Sequence, residues 1–416
     1  MRDSLGKLLA WAAAILAVGS LYANGAVEPD AESLTPTIAA VLAGCLAGLA
    51  LLGLFDLRTP RVTSMLRMLS AGCVLLALIG FAVSMIVSTR DRDLDLKDWG
   101  LFALQAGTPL LLFVSTKKRE LLQALGLVCV VFAAVDMVAN FAGALGFMNL
   151  PTYSGRLEDT GIRIRYPGLS GNTHAAGLVA FVAVSFLAWG FGSKRWAPLL
   201  VRAPLIVGLL GSLWLIDARR YLGMALVAVV IAAIRPLQRI PPALVAAGVA
   251  GVALESVFVI GIDVDDVRVR LLTDGAREAL SHPFLGDGAL YRDPAALAPV
   301  YEALAREGVT ESSFLDFAIA YGLLATGLVF LGALLALCAK RERQTWPVFV
   351  LALATAEFVF GTALTGFLGA LLFYASLAWV WGEDERTPHV PEPSPGDRAG
   401  HAAQWGAQRG GYAGRG

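Results

Sequence analysis

The sequence predicts an all-α, polytopic integral membrane protein of about twelve transmembrane helices, with one large extracytoplasmic loop that carries short helices. Three observations predict it. Of the 416 residues, 57% are hydrophobic and only 16% are charged, against roughly 25% charged in soluble domains. Mean hydropathy is +0.67. Charge-free apolar runs recur at Leu8 to Val27, Ser33 to Phe55, Met68 to Thr89, Trp99 to Thr116 and Ala175 to Gly192. A hydrocarbon core about 30 Å thick needs roughly 20 such residues per helix. The net charge is zero, so no basic field points to a nucleic-acid partner.

In chain order, spans are expected at 8–26, 35–55, 67–88, 99–115, 121–147, 173–191, 197–216, 221–235, 240–261, 313–338, 346–363 and 366–382. The first apolar run lacks a small-residue cleavage site and reads as the first helix. The loop after it carries Glu28, Asp30 and Glu32 without a base. The next short loop has Arg58, Arg61 and Arg67. Basic groups then return in every second loop: Lys117, Lys118 and Arg119; Lys194, Arg195 and Arg202; Arg235 and Arg239; Lys340, Arg341 and Arg343. Lysine and arginine mark cytoplasmic loops. This parity places both termini in the cytoplasm and the loops 148–172 and 263–313 outside. Residues 1–382 form the membrane domain. Residues 383–416, rich in Pro, Gly and Ala, are expected as a disordered cytoplasmic tail. No inverted repeat of the transporter kind is visible. Cys45, Cys73, Cys129 and Cys338 fall in apolar spans without disulfide or metal spacing and read as packing residues. Trp99, Trp189, Trp196, Trp346, Trp379 and Trp381 lie near span ends, as interfacial anchors do.

The polar features gather outside. The 263–313 loop is the one long hydrophilic insertion and holds five arginines. Ala203–Ile216 and Tyr221–Ile234 are short apolar stretches, each about 21 Å as a helix. Asp217, Arg219 and Arg220 between them should therefore sit below the outer surface. Asp136, Glu255, Asp316 and Glu357 fall at mid-depth or in the outward half of spans. Charge inside a membrane is costly and marks a site or pathway, unless it pairs with a neighbouring helix.

Three outward stretches carry a likeness. Arg163 to Gly177 reads RIRYPGLSGNTHAAG, with Arg165, Gly168, Asn172 and Gly177 in an R-x-x-G-x-x-x-N-x-x-x-x-G spacing. Ala218 to Gly223 reads ARRYLG before a helix. In the large loop, Arg268 or Arg270 precedes Ala279 to Gly288, reading ALSHPFLGDG, then Glu311-Ser312-Ser313 and Tyr321-Gly322; Arg277 and Gly288 enclose ten residues. In this order the chain resembles the O-antigen ligase/polymerase family of membrane glycosyltransferases, over roughly residues 160–335. The resemblance implies a site facing the periplasm or exterior of a bacterial inner membrane. It implies a donor glycan linked through a diphosphate to undecaprenol, and an acceptor that is another lipid-linked glycan or lipid A core. A chain-length regulator is a further possible partner. No cofactor or metal is implied.

Arg163, Arg165, Arg219, Arg220, Arg268, Arg270 and Arg277 are the candidate diphosphate ligands. Arginine forks bind such an anion bidentately and stabilise charge as the glycosidic bond breaks. Arg220 and Glu311 are the candidate catalytic pair, Glu311 as base for the acceptor hydroxyl. A positioned base contributes about 10²–10⁴ in rate. His282, Asp316 and Glu357 are further candidates; His282-Pro283 alternatively closes a short helix before a Gly286–Gly288 turn. Ligases of the family carry histidine where Glu311 stands, so a polymerase of lipid-linked repeat units is expected. The alternatives are a ligase that transfers the glycan to lipid A core or protein, and a non-enzymatic transporter of a lipid-linked substrate. Asn172 and His174 also fit a helix N-cap and its neighbour.

Overall fold

The computed structural model describes residues 2–26, 35–55, 64–88, 96–115, 117–148, 153–155, 163–165, 168–170, 172–190, 199–258, 266–288, 310, 312–340, 345–361 and 366–382. Among the described residues the helices are α1 (Arg2–Ala26), α2 (Thr35–Phe55), α3 (Met65–Ser88), α4 (Leu96–Val114), α5 (Lys118–Ala144), α6 (Thr173–Trp189), α7 (Leu199–Leu215), α8 (Arg219–Ala233), α9 (Pro242–Phe258), α10 (Asp266–Ser281), α11 (Ser313–Tyr321), α12 (Leu323–Ala339), α13 (Trp346–Phe360) and α14 (Phe367–Trp381). One small departure from the all-α expectation lies in the 148–172 loop. There β1 (Tyr153–Gly155) pairs antiparallel with β2 (Arg163–Arg165), Tyr153 opposite Arg165. The expected tail, 383–416, lies outside the described residues.

Runs of Leu, Ala, Val and Gly form helices here because an apolar run can meet its backbone polar groups internally only as a helix. Four helices, α1, α2, α3 and α5, are long and apolar enough by length and composition to cross a membrane. Shorter apolar helices of 10–17 residues make up much of the rest. The chain is therefore helical and of membrane-protein character. Its apolar residues lie on both sides of each long helix. Phe81, Leu46 and Leu121 are buried, whereas Leu8, Leu51, Met68, Ile79 and Val138 are exposed. Helices apolar all round belong in a core or a bilayer.

Packing is close. α3 runs along α12, α6 against α5 and α8, and α13 against α9 and α14. Small residues permit this, as they do between membrane helices generally. A Cβ on Gly80 would lie 2.8 Å from the Ala325 Cβ. At one end of the bundle Lys117 pairs with Asp3, Gly53 faces the Val114 carbonyl, and Trp381 Nε1 donates to Ser70 Oγ at 2.8 Å. The starts of α1, α3 and α5 thus meet the ends of α2, α4 and α14. At the other end the Tyr22 hydroxyl donates to Asp136 Oδ2 at 3.0 Å, and Asn140 Nδ2 donates to Ser212 Oγ at 2.8 Å.

Two expectations are corrected. Trp346 and Trp381 are interhelical pins rather than interfacial anchors. Both are buried, and their indole N–H groups donate to Ser185 and Ser70. A buried indole needs such an acceptor. Cys45 and Cys129 are buried as expected, but Cys338 is exposed and packs no core.

Candidate functional site

The site is built where α6, α8, α11 and α13 end or begin. The chain leaves α7 through a tight turn in which Asp217 takes φ +58°. That left-handed conformation suits Asp better than most residues. α8 follows at once and is only 15 residues long, about 22 Å. Arg219 and Arg220 are its first two residues.

The two arginines part company. Arg219 has a side chain 73% exposed and turns back to Asp217, Nε to Oδ1 at 3.0 Å. Arg220 is 28% exposed and turns inward to Glu357, itself 6% exposed, with Nε 3.2 Å from Oε1. Arg220 Nη2 lies 3.4 Å from His174 Nδ1. Its guanidinium also stands over the Tyr221 ring, 5.2 Å from the centroid. Arg220 is thus held by three elements: its own helix, α6 through His174 and α13 through Glu357.

Local sequence explains each placement. Asn172 caps α6, its Oδ1 accepting from His174 N–H at 2.8 Å and Ala175 N–H at 3.2 Å. This fixes His174 in the first turn. One turn on, Gly177 lets α8 approach: a Cβ there would lie 3.1 Å from the Ala218 Cβ and would strike the Tyr221 ring. Gly361, just past α13, leaves room for the ion pair. A Cβ on it would strike Glu357 Oε1 and lie 2.9 Å from Arg220 Nη1. Inward of Glu357 a small apolar cavity of about 30 Å³ is lined by Leu178, Phe181, Met224, Leu353 and Leu372. The carboxylate therefore meets Arg220 on one side and hydrocarbon on the other.

Gly361 also anchors the segment that leads into α11. Its carbonyl accepts from Ser313 N–H at 2.6 Å and Ser313 Oγ–H at 2.5 Å. Ser312 Oγ donates to the Val359 carbonyl at 2.6 Å. Asp316 Oδ1 accepts from Thr310 N–H at 2.9 Å and Thr310 Oγ–H at 2.8 Å. Asp316 thus ties down the loop before its helix. Glu311 lies outside the described residues, but Thr310 and Ser312, its neighbours in sequence, are both pinned.

The Ala279–Gly288 motif does something else. α11 and α12 are broken at Gly322, φ +93°. The segment 283–288 lies across the break and satisfies its backbone groups. Asp287 N–H and Gly288 N–H donate to the Ile319 and Ala320 carbonyls at 2.8 and 2.7 Å, and Pro283 accepts from Leu324 N–H at 3.1 Å. Gly286 is required by contact, since a Cβ would meet the Ala320 backbone. His282 is exposed at the end of α10.

Among the other candidates, Arg270 is exposed on α10, and Arg277 is 70% exposed with Asp274 3.9 Å away. Arg163 and Arg165 are described by backbone alone, in β2, as is Arg268 in α10. The side chain of Glu255 lies outside the described residues. Asp136 serves as a structural tie: Oδ1 accepts from Leu169 N–H at 2.7 Å and fixes the turn Gly168–Ser170 to α5. Sequence reasoning placed His174 beside a helix cap and did not join it to Arg220. No spacing rule links residues 46 apart on different helices. Among the described residues no group of three or more His, Cys, Asp or Glu is arranged to hold a metal ion. No family model, curated protein or solved structure matches this chain.

Proposed function

We propose that the chain is a membrane glycosyltransferase that polymerises undecaprenyl-diphosphate-linked oligosaccharide units on the extracytoplasmic face of a bacterial inner membrane. In this reading it has twelve spans: α1 to α9, the broken α11–α12 pair, α13 and α14. Both termini are cytoplasmic, and the Arg220 end of the bundle faces outward.

The observation that carries the reading is Arg220, a half-buried guanidinium aimed by Glu357 and His174 at a recessed helix start. A diphosphate leaving group needs such a cation, and a site partly screened from water makes the interaction stronger than it would be in bulk. Glu357 keeps the planar fork oriented while no anion is bound, so less conformational entropy is lost on binding. The acceptor hydroxyl attacks the anomeric carbon, the bond from that carbon to the diphosphate oxygen breaks, and the electron pair leaves on the lipid diphosphate. Glu311 takes the hydroxyl proton. The bonds of Thr310, Ser312 and Ser313 support this assignment, since they tie the flanks of position 311 into the wall that also holds Glu357.

The test uses purified protein in nanodiscs with a lipid-linked oligosaccharide and no other acceptor. A ladder of lipid-linked multimers is expected. Transfer only after lipid A core or a protein acceptor is added would make the chain a ligase. Unchanged donor with every acceptor would remove the enzyme reading and favour transport.

A further inference from the structure

We infer that the stretch 280–285 is a re-entrant tip that enters the outer leaflet of the bilayer, with Leu280, Phe284 and Leu285 against lipid chains and Arg270 and Arg277 at the level of the lipid phosphates. The inference takes its orientation from the twelve-span reading and is independent of the reaction.

α10 descends along α11. Gly275 lies against Thr310 and Leu315, where a Cβ would stand 2.6 Å from Thr310 Cγ2, and Ala279, one turn on, packs against Ala318 and Ile319. Beyond α10 the Pro283 carbonyl accepts from Leu324 N–H at 3.1 Å. The chain then returns, with Asp287 and Gly288 N–H donating to Ile319 and Ala320. Residues 275–288 therefore form a hairpin whose turn, at Pro283 and Phe284, reaches the first residues of α12.

Helix lengths fix the depth of that turn. Leu324 stands about 24 Å along α12 from Lys340. Ser84, whose Oγ donates to the Gly286 carbonyl, stands about 26 Å along α3 from Arg67. With Lys340 and Arg67 marking the cytoplasmic boundary, both distances fall short of a hydrocarbon core about 30 Å thick. Any tilt shortens them further. The turn thus lies below the outer boundary of the hydrocarbon. Backbone at that depth is stable only where protein satisfies it, and Pro283, Gly286, Asp287 and Gly288 bond to α3, α11 and α12. The side chains match the depth. Leu280 is 65% and Phe284 72% exposed, and Leu285 and Leu324 beside them are exposed as well. A cluster of large exposed apolar groups marks an interaction surface. This one continues the exposed apolar faces of the helices it rests on, Ile79 and Val83 of α3 and Leu331 of α12, and so takes the same partner, lipid. Arg277 and Arg270 lie one and about three turns up α10 from Leu280, both exposed. There a guanidinium meets phosphate while its stem covers apolar surface.

The test measures depth by spin labelling. The full chain, its four cysteines replaced by alanine, carries one nitroxide at Phe284→Cys, Leu280→Cys, Thr273→Cys or Ile79→Cys in nanodiscs of phosphatidylcholine and phosphatidylglycerol. Thermal midpoints show that each variant folds, and Leu280→Cys carries the test alone if Phe284→Cys does not. Collision with oxygen, which concentrates in hydrocarbon, is compared with collision with a polar nickel chelate, which stays in water. The oxygen-to-chelate ratio at 284 and 280 should exceed that at 273 by at least about tenfold, the factor for a 1.4 kcal/mol difference in partition, and should approach that at 79. Chelate-dominated collision at 284 and 280, with 79 still oxygen-dominated, would place the hairpin in water and overturn the inference. So would exclusion of both reagents, which would mean that protein covers the patch. Chelate-dominated collision at 79 as well would remove the lipid-facing side of α3, and with it the twelve-span reading that sets the depth. Glycan transfer is read separately: a lipid-immersed tip without a glycan ladder would remove the polymerase reading and leave the inference standing.

Discussion

Arg220 and Glu357 form a pair in which each residue makes the other tolerable. A charge this buried costs several kcal/mol when left alone. Arg220→Ala should therefore abolish transfer and also lower stability by about 2 kcal/mol, with the partial exposure of Arg220 keeping the figure at the low end. Adding Glu357→Ala should restore part of that stability while activity stays lost. A double-mutant cycle by thermal unfolding measures this coupling; additive losses would mean the pair is not coupled. Arg220→Lys should keep the fold and recover only a small part of the activity, because a point charge does not replace a planar fork. Gly361→Ala is a sharper probe, since its backbone is extended (φ −154°) and any residue can adopt it. The added methyl acts only by pushing Glu357 and Arg220 apart. Transfer should fall at least tenfold with a modest loss of stability, about 1–3 kcal/mol. Unchanged turnover in purified Gly361→Ala would dissociate the ion pair from function.

Two elements do structural work that a motif search would label functional. The segment 283–288 completes a broken helix. Ser84 Oγ donates to the Gly286 and Ala320 carbonyls at 3.2 Å, which adds α3 to the joint. Gly322→Ala places a side chain at φ +93° against the Phe284 carbonyl. It should cost about 2 kcal/mol or more, seen as a lower thermal midpoint before any change in substrate affinity. The turn Gly168–Ser170 is the second case. Asp136→Ala would leave the Tyr22 hydroxyl and Leu169 N–H without their acceptor, at about 1 kcal/mol for each of these partly buried donors. The turn should loosen from α5, and protease cleavage within 153–170 should rise. Cleavage at the wild-type rate would show that the hairpin is held by other contacts.

For the whole molecule, the proposed twelve-span reading divides the chain into two ends of different chemistry. Lys117 pairs with Asp3 near the start of α1, whereas Arg220 and Glu357 pair where α8 begins and α13 nears its end. In that reading, helices that alternate in direction account for the return of basic groups in every second connection. The twelve-span reading predicts that single cysteines introduced at positions 117 and 239 react only with a permeant reagent in intact cells, and that those at 154 and 273 react with an impermeant one. Labelling of 117 and 154 from the same side would break the topology.

The sequence by itself determined the helical, apolar character of the chain and the approximate positions of most of its helices. These depend on composition and on short-range order, because an apolar run must satisfy its own backbone wherever it lies. Asn172 was legible as a cap for the same reason, since its partners are two and three residues away. Only the tertiary structure decided which charges meet. Arg219 and Arg220 are neighbours of the same type, yet one faces Asp217 and solvent while the other faces Glu357, 137 residues away, because successive helix positions point about 100° apart. It also decided that the Gly286–Gly288 motif seals a helix break and that Asp136 ties a turn. Hydrogen bonds between distant segments leave no periodic trace in a sequence, since their partners are fixed by how helices pack and not by spacing along the chain.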